Sequence, residues 1–251
     1  MTEFLCSAVT HVGKVRTINE DSILSLPEQR LWLVSDGMGG HSSGDFASQT
    51  IAESVAMLSP ELSPGDQMRA VREAIHGAHN TILQEAKERG GSTIGATVVA
   101  LMLTESHFVA FWAGDSRLYR LRDNEIEFLT TDHSIVADLV LAGQMTWDEA
   151  ELHPNSNAIT RAVGVGDELE LDKIRGDVKP GDRFLLCSDG LTKYTTMEML
   201  RSEIAQTPIT TVCDRLLQIA LAGGGADNIS IIVVDVPSDG SSAGNQQPAV
   251  E

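Results

Sequence analysis

Leu31-Trp32-Leu33-Val34-Ser35-Asp36-Gly37-Met38-Gly39-Gly40 is the stretch on which the reading of this chain turns. An unbroken apolar run delivers a carboxylate and then enters a glycine-rich turn. The run predicts a buried strand over Leu31–Ser35, and the turn predicts a helix behind it, with Ser42 or Ser43 placed as its cap. A buried strand that ends in an acid must neutralise the charge, because a lone desolvated carboxylate is very costly. Phe184-Leu185-Leu186-Cys187 leads in the same way into Ser188-Asp189-Gly190. Three further acidic phrases stand at predicted strand ends or tight turns. They are Arg16-Thr17-Ile18-Asn19-Glu20-Asp21, Gly114-Asp115-Ser116-Arg117 and Gly225-Ala226-Asp227-Asn228. Several such ends converging without matching lysines or arginines point to a divalent metal as the counter-charge. Oxygen-only ligands, with no clustering of His or Cys, favour Mg²⁺ or Mn²⁺ over Zn²⁺.

The rest of the chain builds a frame around these phrases. Phe4–His11 and Ser22–Leu26 read as strands, and Gly65–Arg89 as a long helix with Met68, Val71, Ile75, Ala78, Ile82 and Ala86 on one face. Thr97–Leu103, Phe108–Ala113, Arg117–Leu121 and Glu125–Leu129 follow as strands joined by short polar turns of the antiparallel kind. From Asp132 to Arg161 the elements become short, polar and helical, as in an insertion over the sheets. Strands are expected again at Leu169–Ile174, Phe184–Ser188 and Ile229–Val236, with helices at Met197–Ala205 and Ile209–Leu221 between the last two. Hairpins grouped apart from helix pairs indicate an α+β layered sandwich and not a Rossmann alternation. Residues 1–236 form one domain, and the Ser-, Gly-, Gln- and Pro-rich segment 237–251 reads as a disordered tail.

Bulk properties exclude several function classes. The 251 residues carry 18 basic and 36 acidic side chains, a formal charge of −18. That field repels nucleic-acid phosphates and anionic membranes, so neither is expected as a partner. Cys6, Cys187 and Cys213 are odd in number with no CxxC pair, which argues against a disulfide framework and a zinc ribbon. With no long apolar span and no basic signal sequence at the start, the expectation is a cytoplasmic protein acting as a monomer.

The five acidic phrases, in this order, resemble the PPM family of metal-dependent serine/threonine phosphatases, also called PP2C-like, over about residues 3 to 236. Thr131-Asp132-His133-Ser134 and Asn157-Ala158-Ile159-Thr160-Arg161-Ala162-Val163-Gly164 resemble the flap of its bacterial branch. The resemblance implies a four-layer α-β-β-α sandwich, two antiparallel sheets flanked by antiparallel helix pairs, with metals at one edge. It implies two core Mn²⁺ or Mg²⁺ ions, Asp36 bridging both and the Gly37 carbonyl touching one. Asp189 and Asp227 would hold the first ion and Glu20 would orient a ligand of the second. Asp115 would contribute to a third, weaker ion beside Asp189. Arg16 would bind the substrate phosphate, and Asp21, Ser188 and Asn228 would fix the ligands through hydrogen bonds. The implied activity is hydrolysis of phosphoserine and phosphothreonine in proteins by direct attack of a metal-bridging water, opposing a bacterial serine/threonine kinase.

Met38 departs from the animal members, which carry a histidine right after the Asp-Gly pair; Met cannot donate a proton. The leaving oxygen must then take its proton from metal-bound water or another group, with His41 and His133 as the candidate side chains. Other phosphatase chemistries fail on spacing. A cysteine nucleophile needs an arginine six positions later, where this chain has Val12, Lys193 and Ile219, and there is no Asp-x-Asp pair for an aspartyl-phosphate enzyme.

Overall fold

The strand that begins at Leu31 does not stop at Ser35 but runs through Asp36 to Met38, because Gly37 and Met38 pair across to Ala96 and Gly95. The structure, a computed structural model, describes residues 4–39, 43–150, 152–155 and 158–238. His41, Ser42, Asn157 and the expected tail beyond Ser238 lie outside the described residues. The strands are β1 (Leu5–His11), β2 (Asp21–Leu26), β3 (Leu31–Met38), β4 (Gly95–Ala96), β5 (Val98–Leu103) and β6 (His107–Ala113). They continue with β7 (Arg117–Arg122), β8 (Glu125–Phe128), β9 (Asp172–Asp177), β10 (Arg183–Cys187) and β11 (Ile229–Asp235). The helices are α1 (Gly44–Ala56), α2 (Pro64–Glu88), α3 (Ile135–Leu141), α4 (Trp147–Ala150), α5 (Asp189–Thr192), α6 (Met197–Gln206) and α7 (Ile209–Gly223).

Two antiparallel sheets result, one ordered β1-β11-β10-β7-β8 and the other β2-β3-β5-β6-β9 with β4 on β3. Alternation along the strands sorts their side chains into layers. Trp32 and Val34 of β3, Val99 and Leu101 of β5, Phe184 and Leu186 of β10 and Ile232 and Val234 of β11 meet between the sheets. Their neighbours Leu31, Leu33, Val98 and Ala100 face outward, onto Ile51 and Val55 of α1 and Ile75 and Ile82 of α2. On the other side, Leu185, Ile231 and Val233 pack on Leu200 of α6 and Leu216 of α7. This is the α-β-β-α sandwich expected from the sequence.

Two further elements differ from the reading. The strand expected over Leu169–Ile174 forms at Asp172–Asp177, where Asp172 meets Trp112 and Asp177 meets His107. Leu169 and Leu171 supply the apolar cue, yet they pack into the layer beneath α1 and α2 before the ladder begins. Ser43 occupies the N-cap position of α1 but its backbone is helical and its hydroxyl makes no cap. Instead the carboxylate Oε1 of Glu20 accepts the Gly44 N–H at 3.2 Å. Among the described residues no helix is long and apolar enough to cross a membrane.

Candidate metal centre and active site

Strand register carries the acids to one end of the sandwich. Asp21 and Asp36 stand directly opposite each other across β2 and β3, a like-charged cross-strand pair that is unfavourable without a cation. Cys187 of β10 is opposite Arg117 of β7 and Ile231 of β11. Asp189 therefore leaves β10 where Asp115 enters β7 and Asp227 enters β11. The ends of these strands surround a cleft of about 240 Å³ lined by Arg16, Glu20, Asp36, Gly37, Asp115, Asp189, Asp227 and Asn228, all singled out from the sequence. Met38, Thr97, Ile159 and Lys193 complete most of the remaining wall. Asp21 and Ser188 lie behind it, buried.

Short hydrogen bonds fix these positions. The Asp36 N–H donates to Thr97 Oγ1 at 2.9 Å, and the Thr97 N–H returns to the Asp36 carbonyl at 2.8 Å. Gly37 donates its N–H to the Glu20 carbonyl at 3.1 Å. A Cβ on Gly37 would lie 2.1 Å from the Gly44 carbonyl oxygen, so only glycine lets β3 approach α1 this closely. Asn228 clamps the Arg16–Glu20 loop. Its Oδ1 accepts the Glu20 N–H at 2.8 Å while its Nδ2 donates to the carbonyls of Val12 and Ile18 at 3.0 and 2.9 Å. The Ser188 hydroxyl donates to Asp21 Oδ2 at 2.9 Å and accepts the Ser230 N–H at 3.0 Å.

The concentration of acids shifts their protonation. Burial, then Asp21, Asp189, Asp115 and Asp227, hold the Asp36 carboxyl well above its ordinary range, although one face opens to the cleft. Burial and then Asp189 do the same to Asp115. Asp227 shifts the other way. Burial would raise it, but Lys193 and Arg16 outweigh that and hold it below the ordinary range. Arg16 reaches Asp227 Oδ1 with Nε at 2.9 Å and Oδ2 with Nη2 at 3.1 Å.

The donor set fits a hard divalent cation. Every candidate ligand is an oxygen, and Asp189 Oδ1 is buried without a hydrogen-bond partner among the described residues. An unsatisfied buried carboxylate oxygen is costly, and a cation reaching it would remove that cost. Among the described residues no three His, Cys, Asp or Glu side chains close on one point tightly enough to cage an ion by themselves. Mg²⁺-type sites accept this, because the ion keeps several waters and takes only one or two carboxylates.

Lys193 went unrecognised in the sequence. Its Nζ lies 2.8 Å from Asp189 Oδ2 and 3.2 Å from Asp227 Oδ2. The signal that finds it is the i,i+4 spacing from Asp189 into a short helix. His133, in contrast, does not line the cleft. Its Nδ1 accepts the Gly114 N–H at 3.1 Å and its Nε2 faces Arg161 and Asp172. Arg117 is tied to Asp132 in a buried fork, with Nη2 at 2.6 Å and Nε at 3.0 Å.

Comparison with known proteins agrees with this fold. The chain is 35% identical over 225 residues to the serine/threonine protein phosphatase PstP of Mycobacterium tuberculosis, across 89% of this chain and 43% of that protein. It thus spans less than half the length of that relative. The structure of PppA, a key regulatory component of T6SS in Pseudomonas aeruginosa, superposes with a TM-score of 0.87 at 39% identity, covering 93% of this chain and 98% of that one. The catalytic domain of the phosphatase PstP in complex with two manganese ions superposes with a TM-score of 0.85 at 32% identity, over 94% and 99% of the two chains. The family model for protein phosphatase 2C matches residues 11–221, and the chain belongs to that family.

Proposed function

We propose that this chain is a metal-dependent phosphoprotein phosphatase that hydrolyses phosphoserine and phosphothreonine esters. The observation that carries the reading is the convergence of Asp36, Asp189 and Asp227 on one cleft, with a buried carboxylate oxygen of Asp189 that has no partner among the described residues and Arg16 paired with Asp227. Asp36, the Gly37 carbonyl, Glu20, Asp189 and Asp227 would hold two Mn²⁺ or Mg²⁺ ions. Bound there, such a pair supplies an acidified water and positive charge for the phosphate oxygens.

This chain's residues divide the remaining work. Thr97 and Asn228 hold the backbone at Asp36 and Glu20, so the acids are placed before substrate arrives. Half of the Arg16 side chain is exposed, and its guanidinium is free to turn from Asp227 to a phosphate, which it matches in fork geometry. The segment 132–161 is the proposed flap. Ser134 caps α3, and Ile159 carries its far end to the cleft wall. Met38 lies in the cleft where it can neither give nor take a proton. The partners that fit are phosphorylated proteins and the serine/threonine kinase that modifies them, met by a monomeric enzyme.

Release of phosphate from a phosphothreonine peptide tests the reading. EDTA should abolish it, and Mn²⁺ or Mg²⁺ should restore it. Full activity in EDTA, or rescue by Zn²⁺ alone, would overturn the assignment.

A further inference from the structure

Thr131, Asp132 and His133 are consecutive residues, and each is fastened to a different point of the hairpin that carries Asp115. Trp112 donates its indole N–H to the Thr131 carbonyl at 2.8 Å. Arg117 holds Asp132 in the buried fork. His133 takes hold of Gly114 twice. Its own N–H donates to the Gly114 carbonyl at 2.9 Å, and its Nδ1 accepts the Gly114 N–H at 3.1 Å. The ring lies nearly parallel to that of Trp112, with centroids 6.1 Å apart, and only 10% of the side chain is exposed. A backbone N–H can only donate, so Nδ1 is unprotonated and the ring proton sits on Nε2. There it faces Asp172 Oδ2 at 3.4 Å, on a carboxylate that Arg161 also holds, through Oδ1 at 2.6 Å.

The same residue is the root of the segment 132–161. Its carbonyl accepts the Thr160 N–H at 2.7 Å, Ser134 bridges Ile159, and the Ile135 N–H reaches the Ala158 carbonyl at 2.9 Å. Ile159 and Asp115 both line the cleft. We infer that His133 is a positioning residue for the reaction. Its Nδ1 locks the root of the flap onto the Gly114–Asp115 turn, so that the Ile159 wall and the Asp115 carboxylate are set as one unit against a bound phosphopeptide. The inference rests on the phosphatase reading. Packing alone does not require this side chain: a phenyl ring would fill the space beside Trp112 but leave the Gly114 N–H without its acceptor.

Two variants of the full chain test it. His133→Phe keeps a stacked ring and removes the acceptor, whereas His133→Asn places its amide oxygen where Nδ1 stood. Exchange of the Gly114 amide, followed by NMR in EDTA, should be at least about fivefold faster in His133→Phe. With saturating Mn²⁺, kcat on a phosphothreonine peptide should fall about tenfold or more in that variant, with a smaller change in KM. His133→Asn should stay within about threefold of wild type in both measurements. Unchanged Gly114 exchange or unchanged turnover in His133→Phe would overturn the proposal while leaving the phosphatase reading intact, as would a His133→Asn as impaired as His133→Phe. If His133→Phe does not fold, His133→Gln decides the matter. Its amide reaches to the Nε2 position, so Gly114 must lose protection there and keep it in His133→Asn; protection kept in His133→Gln overturns the proposal. A wild type without turnover would bring down the phosphatase reading and this role together.

Discussion

Asp21→Asn should make the stability of the metal-free protein less dependent on pH. Asp21 is 7% exposed, accepts from Ser188 at one oxygen, has no hydrogen-bond partner at the other among the described residues, and stands directly across from Asp36. Burial, reinforced by Asp189 and Asp227 and only partly offset by Ser230 and Ser188, raises its carboxyl from the ordinary 3.8 to about 7. The folded chain thus keeps this proton over a range where the unfolded chain has released it. Its contribution to stability is fully present below the lower value and is lost as pH rises through the higher one. The gap between 3.8 and about 7 corresponds to roughly 4 kcal/mol, of which more than half falls between about pH 5 and pH 8. Urea unfolding in EDTA at those two pH values measures it. Wild type should lose roughly 2–3 kcal/mol more than Asp21→Asn over the interval. Asp36 and Asp115, whose carboxyls are also raised, contribute to the slope of both proteins. Excess Mn²⁺ should flatten the wild-type profile, since a cation favours the ionised acids. Parallel profiles for the two proteins in EDTA would refute the reasoning.

Arg117→Leu should cost about 3–5 kcal/mol in denaturant unfolding, because it leaves Asp132 buried and unpaired; a loss below about 1 kcal/mol would contradict this. Gly190→Ala places a Cβ 1.9 Å from the Asn228 carbonyl oxygen. The backbone beside Asp189 must move, with a stability loss of about 1–3 kcal/mol. Calorimetry should also show weaker Mn²⁺ binding in this variant, and unchanged affinity would separate the turn from the metal centre. Arg16→Ala should raise KM for a phosphopeptide about tenfold with a smaller change in kcat. An unchanged KM would confine Arg16 to its ion pair with Asp227.

The layers were legible because the signals are local. The unbroken apolar runs Leu31–Val34 and Phe184–Cys187 name the strands, and the spacing of Val71, Ile75, Ala78 and Ile82 names a core-facing helix. The acids at the ends of these strands were legible for the same reason, since a carboxylate after an apolar run needs a partner wherever the run leads. What stayed hidden depends on contacts between distant segments. Glu20 caps α1 across β2 in place of Ser43, and no periodicity around Ser43 carries that information. The start of β9 is set by its register on β6, not by Leu169 and Leu171. Lys193 sits on an otherwise ordinary short helix, and its importance appears only once Asp227 and Asp189 are brought together.

The central claim is that Asp36 is shared by two divalent ions. Calorimetric titration of Mn²⁺ into Asp36→Asn, paired with turnover on a phosphopeptide, tests it most directly. The account predicts two ions on the wild type, weakened binding of both in the variant, and turnover lower by about a hundredfold or more. It also predicts unfolding in EDTA no easier than wild type, because the variant removes a buried acid whose carboxyl is raised. Two ions bound at wild-type affinity, with near wild-type turnover, would contradict it.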